Sequence, residues 1–513
     1  MMSDDEIFLI DTPSDDIRKP MQNLGLVSIA SYADDNGYAG MTKIIDGRLL
    51  SFKHGLYKAK KIISQTIKKE KPLIVGFPTY QQSFNLGLKD LIKSAQEVNS
   101  EIVFGGNLAT ALHTLFAHIG IVVRGEGEVT FKEVLDAKYN GKDLHKVKGI
   151  TFDDGKEVVV NPDRKPVDIN NLSFPDWGLL PPVSEYNYRI SIEDARDCVH
   201  NCSFCGIMIY KNRKKKSLPR LKTIERIGTE TEFAYLHDAT YIRFVSELVL
   251  FDRERALKIA DIMDKYRFKW GINAHPTFVV KQEDILPILK SKGLYSIETG
   301  VEAGSQSILN YYNKQTTPET NSRAIKAISN NGIKPRIDFI NFHPDITMRE
   351  LGENINFIEQ HLDFFFTNLH YPHQDIFKTW IPIIGTPIYE KLLKERRITV
   401  ENKNLFGSEA ATYANSDVVK VLRLIAHYVQ NHNSRYEMIE KRIKEKNNKG
   451  LENDSLSERE KRLKYVPFYV LCLAYSCAKD GKSMEESKSA IDVYCQKEFT
   501  ALSQETKILV SVK

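Results

Sequence analysis

The sequence predicts an α/β protein with three successive parts: a Rossmann-type doubly wound parallel sheet, a partial (β/α)6 barrel, and a mainly helical C-terminal region. Three observations predict this order. Strand-like apolar runs alternate with helix-like stretches over residues 1–140, the alternation resumes over 188–395, and strand signals fade over 396–513. The chain has 513 residues, more than one hydrophobic core usually supports, so several domains are expected.

The first part carries five predicted strands: IFLID (7–11), TKIID (42–46), PLIVGFPTY (72–80), EIVFGG (101–106) and IGIVVRGEGE (119–128). The third is continuously apolar, which is typical of a parallel strand covered by helices on both faces. Doubly wound sheets bind ligands beyond the carboxyl ends of their strands. The segments at those ends are FPTY, GGNLAT and RGEGE, so a ligand site is predicted there.

Residues 141–187 are predicted to form a linker with a hairpin that turns at Asp-Gly in GITFDDGKEVVV. The barrel is then predicted over 188–395 from six strand candidates: YRISIE, TYIRFVSE, FKWGINA, YSIETGVEA, KPRIDFINF and FFFTNLHY. Barrels of βα units carry their chemistry at the C-terminal ends of the strands. The residues that follow each of these strands are therefore the site candidates.

The composition predicts a cytoplasmic protein that binds no nucleic acid and does not span a membrane. Lysine and arginine exceed the acidic residues by 72 − 67 = 5, a weak excess for this length. The longest apolar stretch, YVPFYVLCLAYSCA (465–478), is shorter than the ~20 residues that span a bilayer. The N-terminal stretch MMSDDEIFLIDTP lacks the positive charge of a secretory signal. Thiols in the cytoplasm stay reduced, so clustered cysteines there indicate metal binding or catalysis.

Three of the six cysteines lie in one short stretch, DCVHNCSFCG at 197–206. Cys198, Cys202 and Cys205 follow the predicted strand YRISIE with the spacing C-x3-C-x2-C. Thiolates are soft ligands that select zinc, copper(I) or iron–sulfur clusters. A structural zinc ion usually has four protein ligands, and His200 is awkwardly spaced to be the fourth. The alternative is a [4Fe–4S] cluster with one iron left open.

The cysteine loop, with Phe204 before its last cysteine, resembles that of the radical S-adenosylmethionine (SAM) superfamily. Downstream, SIETGVEAGSQSILNYYNKQTT (296–317) resembles the fourth barrel strand of that superfamily with its GxExGS turn, and WIPIIGTPIYEKL (380–392) resembles the segment that closes the barrel. The resemblance implies a [4Fe–4S] cluster on the three cysteines, whose open iron chelates SAM for reductive cleavage to a 5′-deoxyadenosyl radical. It also implies SAM or substrate contacts from Phe204, Ser246, Glu247, Glu302 and Ser305.

The first part resembles the cobalamin-binding module that precedes the barrel in one branch of this superfamily. The matching stretches are PMQNLGLVSIASYADDNGY with IID, IVGFPTY, GGNLAT and RGEGEVTF. Two departures stand out: the DxHxxG motif of cobalamin mutases is absent, and Leu108 stands where relatives often carry histidine. A domain that keeps the fold but no longer binds corrin is therefore the alternative. The resemblance implies cobalamin contacts from Leu24, Thr79, Tyr80, Gly105, Gly106, Asn107, Gly125, Glu126, Gly127 and Glu128.

Together the two resemblances imply methylation of an unactivated carbon. One SAM would supply the methyl group through cobalamin, and a second SAM, cleaved at the cluster, would abstract a substrate hydrogen. Cobalamin-dependent ring contraction or cyclisation without methyl transfer stays open as an alternative. We expect a small-molecule or peptide substrate and an external low-potential electron donor of flavodoxin or ferredoxin type.

Two further stretches have simpler interpretations. The basic run KNRKKKSLPRLK (211–222) is interpreted as a solvated surface loop, with a lid over an anionic substrate as the alternative. Cys472, Cys477 and Cys495 lack the compact spacing of the first set and lie among apolar residues. Because free cysteine is commonly buried, these three are predicted to pack in a core rather than to hold a second cluster.

Overall fold

The computed structural model describes residues 6–15, 20–80, 87–211, 218–366, 376–400, 409–447 and 458–505. The chain divides into two compact units. The first unit contains residues 1–273, 288–295 and 382–410, and the second contains residues 274–287, 296–381 and 411–513.

The first unit is built on a seven-stranded sheet with the strand order β2-β1-β3-β4-β5-β6-β7. Neighbouring strands from β2 to β5 are parallel, and β6 and β7 are added antiparallel at the β5 edge. The stretch predicted as a linker hairpin thus extends this sheet. The strands are β1 Ile7–Asp11, β2 Thr42–Asp46, β3 Ile74–Pro78, β4 Glu101–Gly105, β5 Ile121–Val123, β6 Ile150–Asp153 and β7 Val158–Val160.

Helices cover this sheet because each presents an apolar stripe. In α3, Ala59, Ile63 and Ile67 recur every four residues and are fully buried. Phe104 in β4 packs edge-on against Phe116, with ring centroids 4.9 Å apart, and each such buried ring contributes about 2 kcal/mol. The helices are α1 Leu24–Ala33, α2 Gly47–His54, α3 Leu56–Glu70, α4 Leu88–Gln96, α5 Asn107–Ala111, α6 His113–Ala117 and α7 Glu128–Asn140, and a π-helical segment, Asp34–Tyr38, follows α1.

The remainder of the first unit begins the predicted barrel. Strands β8 (Arg189–Ile192), β11 (Tyr241–Phe244) and β12 (Lys269–Ala274) are parallel neighbours. A short antiparallel pair, β9 (Ala195–Arg196) and β10 (Arg220–Leu221), flanks the cysteine loop. The helices are α8 Ile207–Lys211, α9 Ile224–Leu236, α10 Arg253–Lys265 and, later in the chain, α17 Pro387–Lys394. Strand β15 is Ile398–Val400.

The second unit contains two further parallel strands, β13 (Leu294–Glu302, from Ser296 onward) and β14 (Lys334–Phe339). The prediction of a strand at FFFTNLHY is wrong for its first three residues, which lie in helix α16 (Leu362–Phe366), and its remainder lies outside the described residues. Phe365 is buried and packs edge-on against Phe339, with centroids 5.3 Å apart. An isolated parallel bridge joins Phe342 to Thr379 instead.

Helices make up most of the second unit, which confirms a mainly helical C-terminal region. None of the described helices combines the length and apolar character needed to cross a membrane. The helices are α11 Pro276–Lys281, α12 Leu286–Ser291 (which continues into the first unit), α13 Gln306–Tyr311, α14 Pro318–Asn330, α15 Met348–Gln360, α16 Leu362–Phe366, α18 Ser416–Asn447, α19 Glu458–Lys479 and α20 Met484–Glu505. A short strand, β16 Glu409–Ala411, begins in the last residues of the first unit and precedes α18.

Candidate active site

The cysteine loop follows β9 and leads into α8. Cys198 and Cys202 are buried, Cys205 is half-buried, and all three are free thiols. Asp197, directly before the first cysteine, has φ 68°, and this left-handed backbone turns the chain out of the strand. Within the loop, the backbone N–H of Cys205 donates to the carbonyl of Cys202 at 3.1 Å. The loop is thus a compact turn that carries three soft ligands.

The number of thiolates bears on the zinc alternative. A structural zinc site usually has four protein ligands, whereas the loop supplies three thiolates. Three thiolates suit a [4Fe–4S] cluster, because each can bind a different iron. The donor set fits the cluster.

A cavity of about 440 Å³ lies within the first unit, beyond the carboxyl ends of β3, β4 and β5. Its wall includes apolar side chains such as Leu26, Phe77 and Val123, and it also includes residues at the ends of β9 and β11. The predicted site residues that line it are Tyr80, Gly105, Gly106, Gly125, Glu126, Gly127, Glu128, Ser246 and Glu247. Leu24, Thr79, Asn107, Phe204 and the three cysteines are not among its lining residues.

Two consecutive glycines form the cavity wall at the end of β4, and they differ in what surrounds them. A Cβ on Gly105 would meet no protein atom within 4 Å. A Cβ on Gly106, whose φ is 94°, would lie 2.8 Å from the carbonyl oxygen of Thr79. Gly106 is thus needed by the turn, whereas Gly105 leaves open space that a flat ligand can approach. This glycine cradle fits a corrin.

Thr79 supports the same turn and does not line the cavity. Its fully buried hydroxyl donates to the carbonyl of Gly105 at 2.8 Å and accepts from the N–H of Ala109 at 2.8 Å. The side chain therefore ties the end of β3 to the start of α5. Its predicted contact with cobalamin stays a prediction.

Glu128, at the start of α7, is held by Arg196, two residues before the first cysteine. The guanidinium makes two bonds to the carboxylate, Nη2 to Oε1 at 2.6 Å and Nη1 to Oε2 at 3.3 Å. The Nε of Arg196 donates to Glu193 at 2.8 Å. Burial alone would lower the pKa of Arg196, but the carboxylates of Glu193 and Glu128 raise it well above its ordinary value. The cation is therefore permanent, and it joins the RGEGE turn to the cysteine loop.

Glu126 is held in the same way by Arg220 in β10. The distances are 2.5 Å from Nη2 to Oε1 and 3.0 Å from Nη1 to Oε2. Arg220 also contacts Asp197, with Nη2 3.0 Å from Oδ2. We call Arg196, Arg220, Glu126, Glu128 and Asp197 the arginine–carboxylate bridge. The bridge connects the turn after β5 to both strands, β9 and β10, that flank the cysteine loop.

The bridge corrects one interpretation of the sequence. Arg220 and Lys222 belong to the basic run 211–222, which was interpreted as a solvated loop. Both are paired instead: Arg220 lies in the bridge, and the buried Lys222 is 2.6 Å from Glu230. Buried cations need such partners because desolvation is costly. Residues 212–217 of the run lie outside the described residues.

Asn107 makes a further link between the front sheet and the cysteine loop. Its side-chain oxygen accepts a hydrogen bond from Tyr210 in α8, and Tyr210 lines the cavity. Its Nδ2 would lie 3.3 Å from a Cβ placed on Gly206, which follows the last cysteine. The space beside the loop therefore suits glycine at position 206.

Two family models match the chain, one over each cofactor region. The B12 binding domain model matches residues 15–135, and the Radical SAM superfamily model matches residues 192–358. The first range contains the glycine turns of the cavity, and the second contains the cysteine loop. The chain carries a B12-binding domain followed by a radical SAM domain. Its cofactors are a [4Fe–4S] cluster, SAM and cobalamin, as the sequence predicts.

This radical SAM protein has relatives with different reactions in their names. It is 30% identical over 297 residues to an anaerobic magnesium-protoporphyrin IX monomethyl ester cyclase from Rubrivivax gelatinosus, over 54% of this chain and 52% of the cyclase. It is 26% identical over 352 residues to an uncharacterized methyltransferase from Pyrococcus horikoshii, over 66% of this chain and 73% of that protein. The chain thus spans about half the length of the cyclase that it matches.

Solved structures of two enzymes share its fold. The cobalamin-dependent S-adenosylmethionine radical enzyme OxsB, with aqua-cobalamin and SAM bound, has a TM-score of 0.75 at 17% identity, over 99% of this chain and 82% of OxsB. The methyltransferase TsrM from Kitasatospora setae has a TM-score of 0.57 at 14% identity, over 76% of each chain. The predicted fold class is confirmed. The two family models support the prediction of a cobalamin-dependent radical SAM enzyme.

At the end of β11, this radical SAM protein places Ser246 and Glu247 on the cavity wall. The hydroxyl of Ser246 accepts from the N–H of Leu248 at 3.0 Å, which fixes the turn. Burial raises the pKa of the neighbouring carboxyl of Asp194, while Ser246 and Arg255 act in the opposite direction. Asp194 gives no separate signal in the sequence, because it lies between β8 and β9 among other charged residues such as Glu193 and Arg196. SAM contacts from Ser246 and Glu247 stay predictions.

In the second unit, the two GxExGS residues already have protein partners. The buried carboxylate of Glu302 lies 3.1 Å from the Nζ of Lys314, and its φ of 66° marks the irregular end of β13. The buried hydroxyl of Ser305 donates to Glu353. His275 accounts for the position of Lys314, since its Nε2 lies 2.8 Å from the Lys314 carbonyl oxygen. Contacts of Glu302 and Ser305 with SAM remain predictions.

A further acidic group on β14 was missed from the sequence. Burial raises the pKa of Asp338 to about 6, with further contributions from Glu298 and Glu302, and Lys378 opposes the shift. These residues share one face, because Asp338 pairs in register with Gly300. The sequence KPRIDF shows the alternation of polar and apolar residues along the strand. It does not show that Asp338 lies near Glu298 and Glu302.

Proposed function

We propose that this protein uses SAM and cobalamin to methylate an unactivated carbon of a small-molecule or peptide substrate. One observation carries the proposal. A single cavity is lined both by glycine turns from the range that the B12 binding domain model matches and by Ser246 and Glu247 from the range that the radical SAM model matches. A substrate carbon in this cavity would be within reach of both cofactors.

When bound, the cluster supplies the electron that cleaves SAM, and cobalamin supplies the methyl carrier. Each turnover would consume two SAM molecules and two electrons from an external low-potential donor. The products would be the methylated substrate, S-adenosylhomocysteine, 5′-deoxyadenosine and methionine. The chain itself would hold the cluster through Cys198, Cys202 and Cys205. Its apolar cavity wall would exclude water from the reacting carbon.

A second candidate is ring closure or contraction without methyl transfer. The observation that favours it is the 30% identity to a magnesium-protoporphyrin cyclase, which exceeds the 26% identity to the methyltransferase relative. Both reactions need the cluster and SAM. They differ in whether a methyl group leaves SAM.

Product analysis separates the two candidates. Reconstituted protein would be loaded with cobalamin under anaerobic conditions, desalted, and given SAM with a low-potential reductant. Bound corrin with both 5′-deoxyadenosine and S-adenosylhomocysteine is the result expected for methylation. Bound corrin with 5′-deoxyadenosine alone, in the presence of extracts that contain substrate, would favour ring chemistry. Protein that retains its cluster yet yields no 5′-deoxyadenosine would contradict both candidates.

The two adjacent glycines provide a matched pair that tests the corrin position. Gly105→Ala places a methyl group in open space, so we expect unchanged stability and roughly 10-fold weaker cobalamin binding, the effect of about 1.4 kcal/mol of overpacking. Gly106→Ala is expected to lower the free energy of unfolding by about 1–3 kcal/mol, because residues other than glycine are strained at a φ of 94°. Urea unfolding and corrin absorbance after desalting measure the two effects. Equal cobalamin binding by Gly105→Ala and wild type would place the corrin elsewhere.

A further inference from the structure

Two histidines and an aspartate converge between α18 and α20 in the second unit. His427 and His432 lie on α18, and Asp492 lies on α20. The Nε2 atoms of the two histidines lie 2.8 Å and 2.7 Å from the same Oδ1 of Asp492. The three ligand atoms are all within 4.8 Å of one another. Within the described residues, this is the one place where three such atoms come together.

The three side chains have the exposure that a cation site needs. The histidine side chains are 18% and 14% exposed, and that of Asp492 is 46% exposed. The imidazoles are thus held in place, while solvent can reach the carboxylate and supply a water ligand.

Neighbouring residues hold the two rings. The ring of Tyr428 lies nearly parallel to that of His432, with centroids 6.0 Å apart. The side-chain Nδ2 of Asn431 lies 3.1 Å from Nδ1 of His427 and donates to the carbonyl of His427 at 2.8 Å. Such outer partners orient the histidine ligands of metal sites.

We propose that His427, His432 and Asp492 bind one divalent transition-metal ion, with Zn²⁺ as the preferred ion. Two imidazole nitrogens and one carboxylate oxygen, completed by water, form a donor set that zinc commonly takes. The site is separate from the cysteine loop and does not depend on the proposed reaction. The ion joins α18 to α20, because His432 and Asp492 are 60 residues apart in the chain. It therefore stabilises the helical C-terminal region.

The cysteines of the same helices do not compete for this ion. Cys495 lies three residues after Asp492, and burial raises the pKa of its thiol to about 12. Burial likewise raises the pKa of Cys472 to about 12. Neither thiol is among the three ligand atoms that lie within 4.8 Å of one another. Core packing of these cysteines stays a prediction.

Cobalt(II) titration of the full-length protein, with its iron–sulfur cluster reconstituted and adventitious metal removed by a mild chelator, tests the proposal. We expect one Co²⁺ to bind, with visible d–d absorption, and to raise the thermal unfolding midpoint. His427→Gln and Asp492→Asn should each weaken Co²⁺ binding by at least about 10-fold. The matched control is His118→Gln. His118 is an exposed histidine whose Nδ1 lies 3.1 Å from Asp153, so it resembles one half of the proposed site. This substitution should leave binding unchanged.

Three results would overturn the assignment. Wild-type protein could bind no Co²⁺ or Zn²⁺ beyond its cluster iron. Binding could persist unchanged in both His427→Gln and Asp492→Asn. The thermal midpoint could fall in these variants while added metal leaves the wild-type midpoint unchanged, which would identify a hydrogen-bonded brace. Circular dichroism of each variant without metal shows that the helices are formed, so loss of binding is not loss of folding.

Discussion

Replacing Cys202 by alanine is expected to abolish the iron–sulfur cluster and, with it, the cleavage of SAM. Three thiolates hold the cluster, and the loop offers no fourth cysteine as a substitute. Substitutions of residues that only support a metal ligand lower activity by up to roughly 100-fold. Because Cys202 is itself a ligand, we expect the 5′-deoxyadenosine yield to fall by more than that. Iron content, absorbance near 400 nm and anaerobic product analysis would measure these losses.

The matched control for this change is Cys472→Ala. Cys472 is also partly buried, but burial raises the pKa of its thiol to about 12 and it lies in a helix of the second unit. Its replacement should leave iron content and 5′-deoxyadenosine yield unchanged. Equal losses in both variants would mean that general thiol damage, rather than loss of a ligand, explains the result. A fully active Cys202→Ala protein would exclude the cluster from this loop.

Replacing Arg196 by alanine is expected to destabilise the first unit and release cobalamin. The change leaves the carboxylate of Glu128, which is 6% exposed, without its bidentate partner. Breaking a buried ion pair typically costs about 3 kcal/mol or more. Arg220 still holds Glu126, so we expect a loss near the lower end of that range. Urea unfolding of the apoprotein and corrin retention after desalting would measure the two effects.

Two comparisons give this prediction its controls. Lys68→Ala removes an ion pair of 2.7 Å with Glu97 on the surface of the same unit, where both side chains are more than 40% exposed, so it should cost below about 1 kcal/mol. Arg196→Lys keeps the charge but loses the planar fork, and we expect an intermediate loss. If Arg196→Ala were no more destabilising than Lys68→Ala, the arginine–carboxylate bridge would have no structural role.

The local signals of the sequence predicted the fold, and the resemblance of its short motifs to a known family implied the cofactors. The cysteine spacing, the glycine pairs after β4 and β5, and the alternation of apolar runs all lie within short stretches. Such signals can be read from short stretches because they reflect local backbone geometry. The positive φ of Gly106 and the four-residue spacing of the buried residues in α3 are examples. The hairpin at 150–160 was visible in the same way. Its place at the edge of the front sheet was not.

By contrast, tertiary packing determines which charged residues pair with one another. Arg196 meets Glu128 across 68 residues and Arg220 meets Glu126 across 94 residues, and the chain has many other charged residues that each could have met. The histidines of α18 and Asp492 of α20 gave no local motif either. Such pairs form only when elements far apart in the chain are brought together, since burial then requires each charge to have a partner. For that reason the motifs that imply the cofactors lie within short stretches of the sequence, whereas the arginine–carboxylate bridge and the candidate metal site required the tertiary structure.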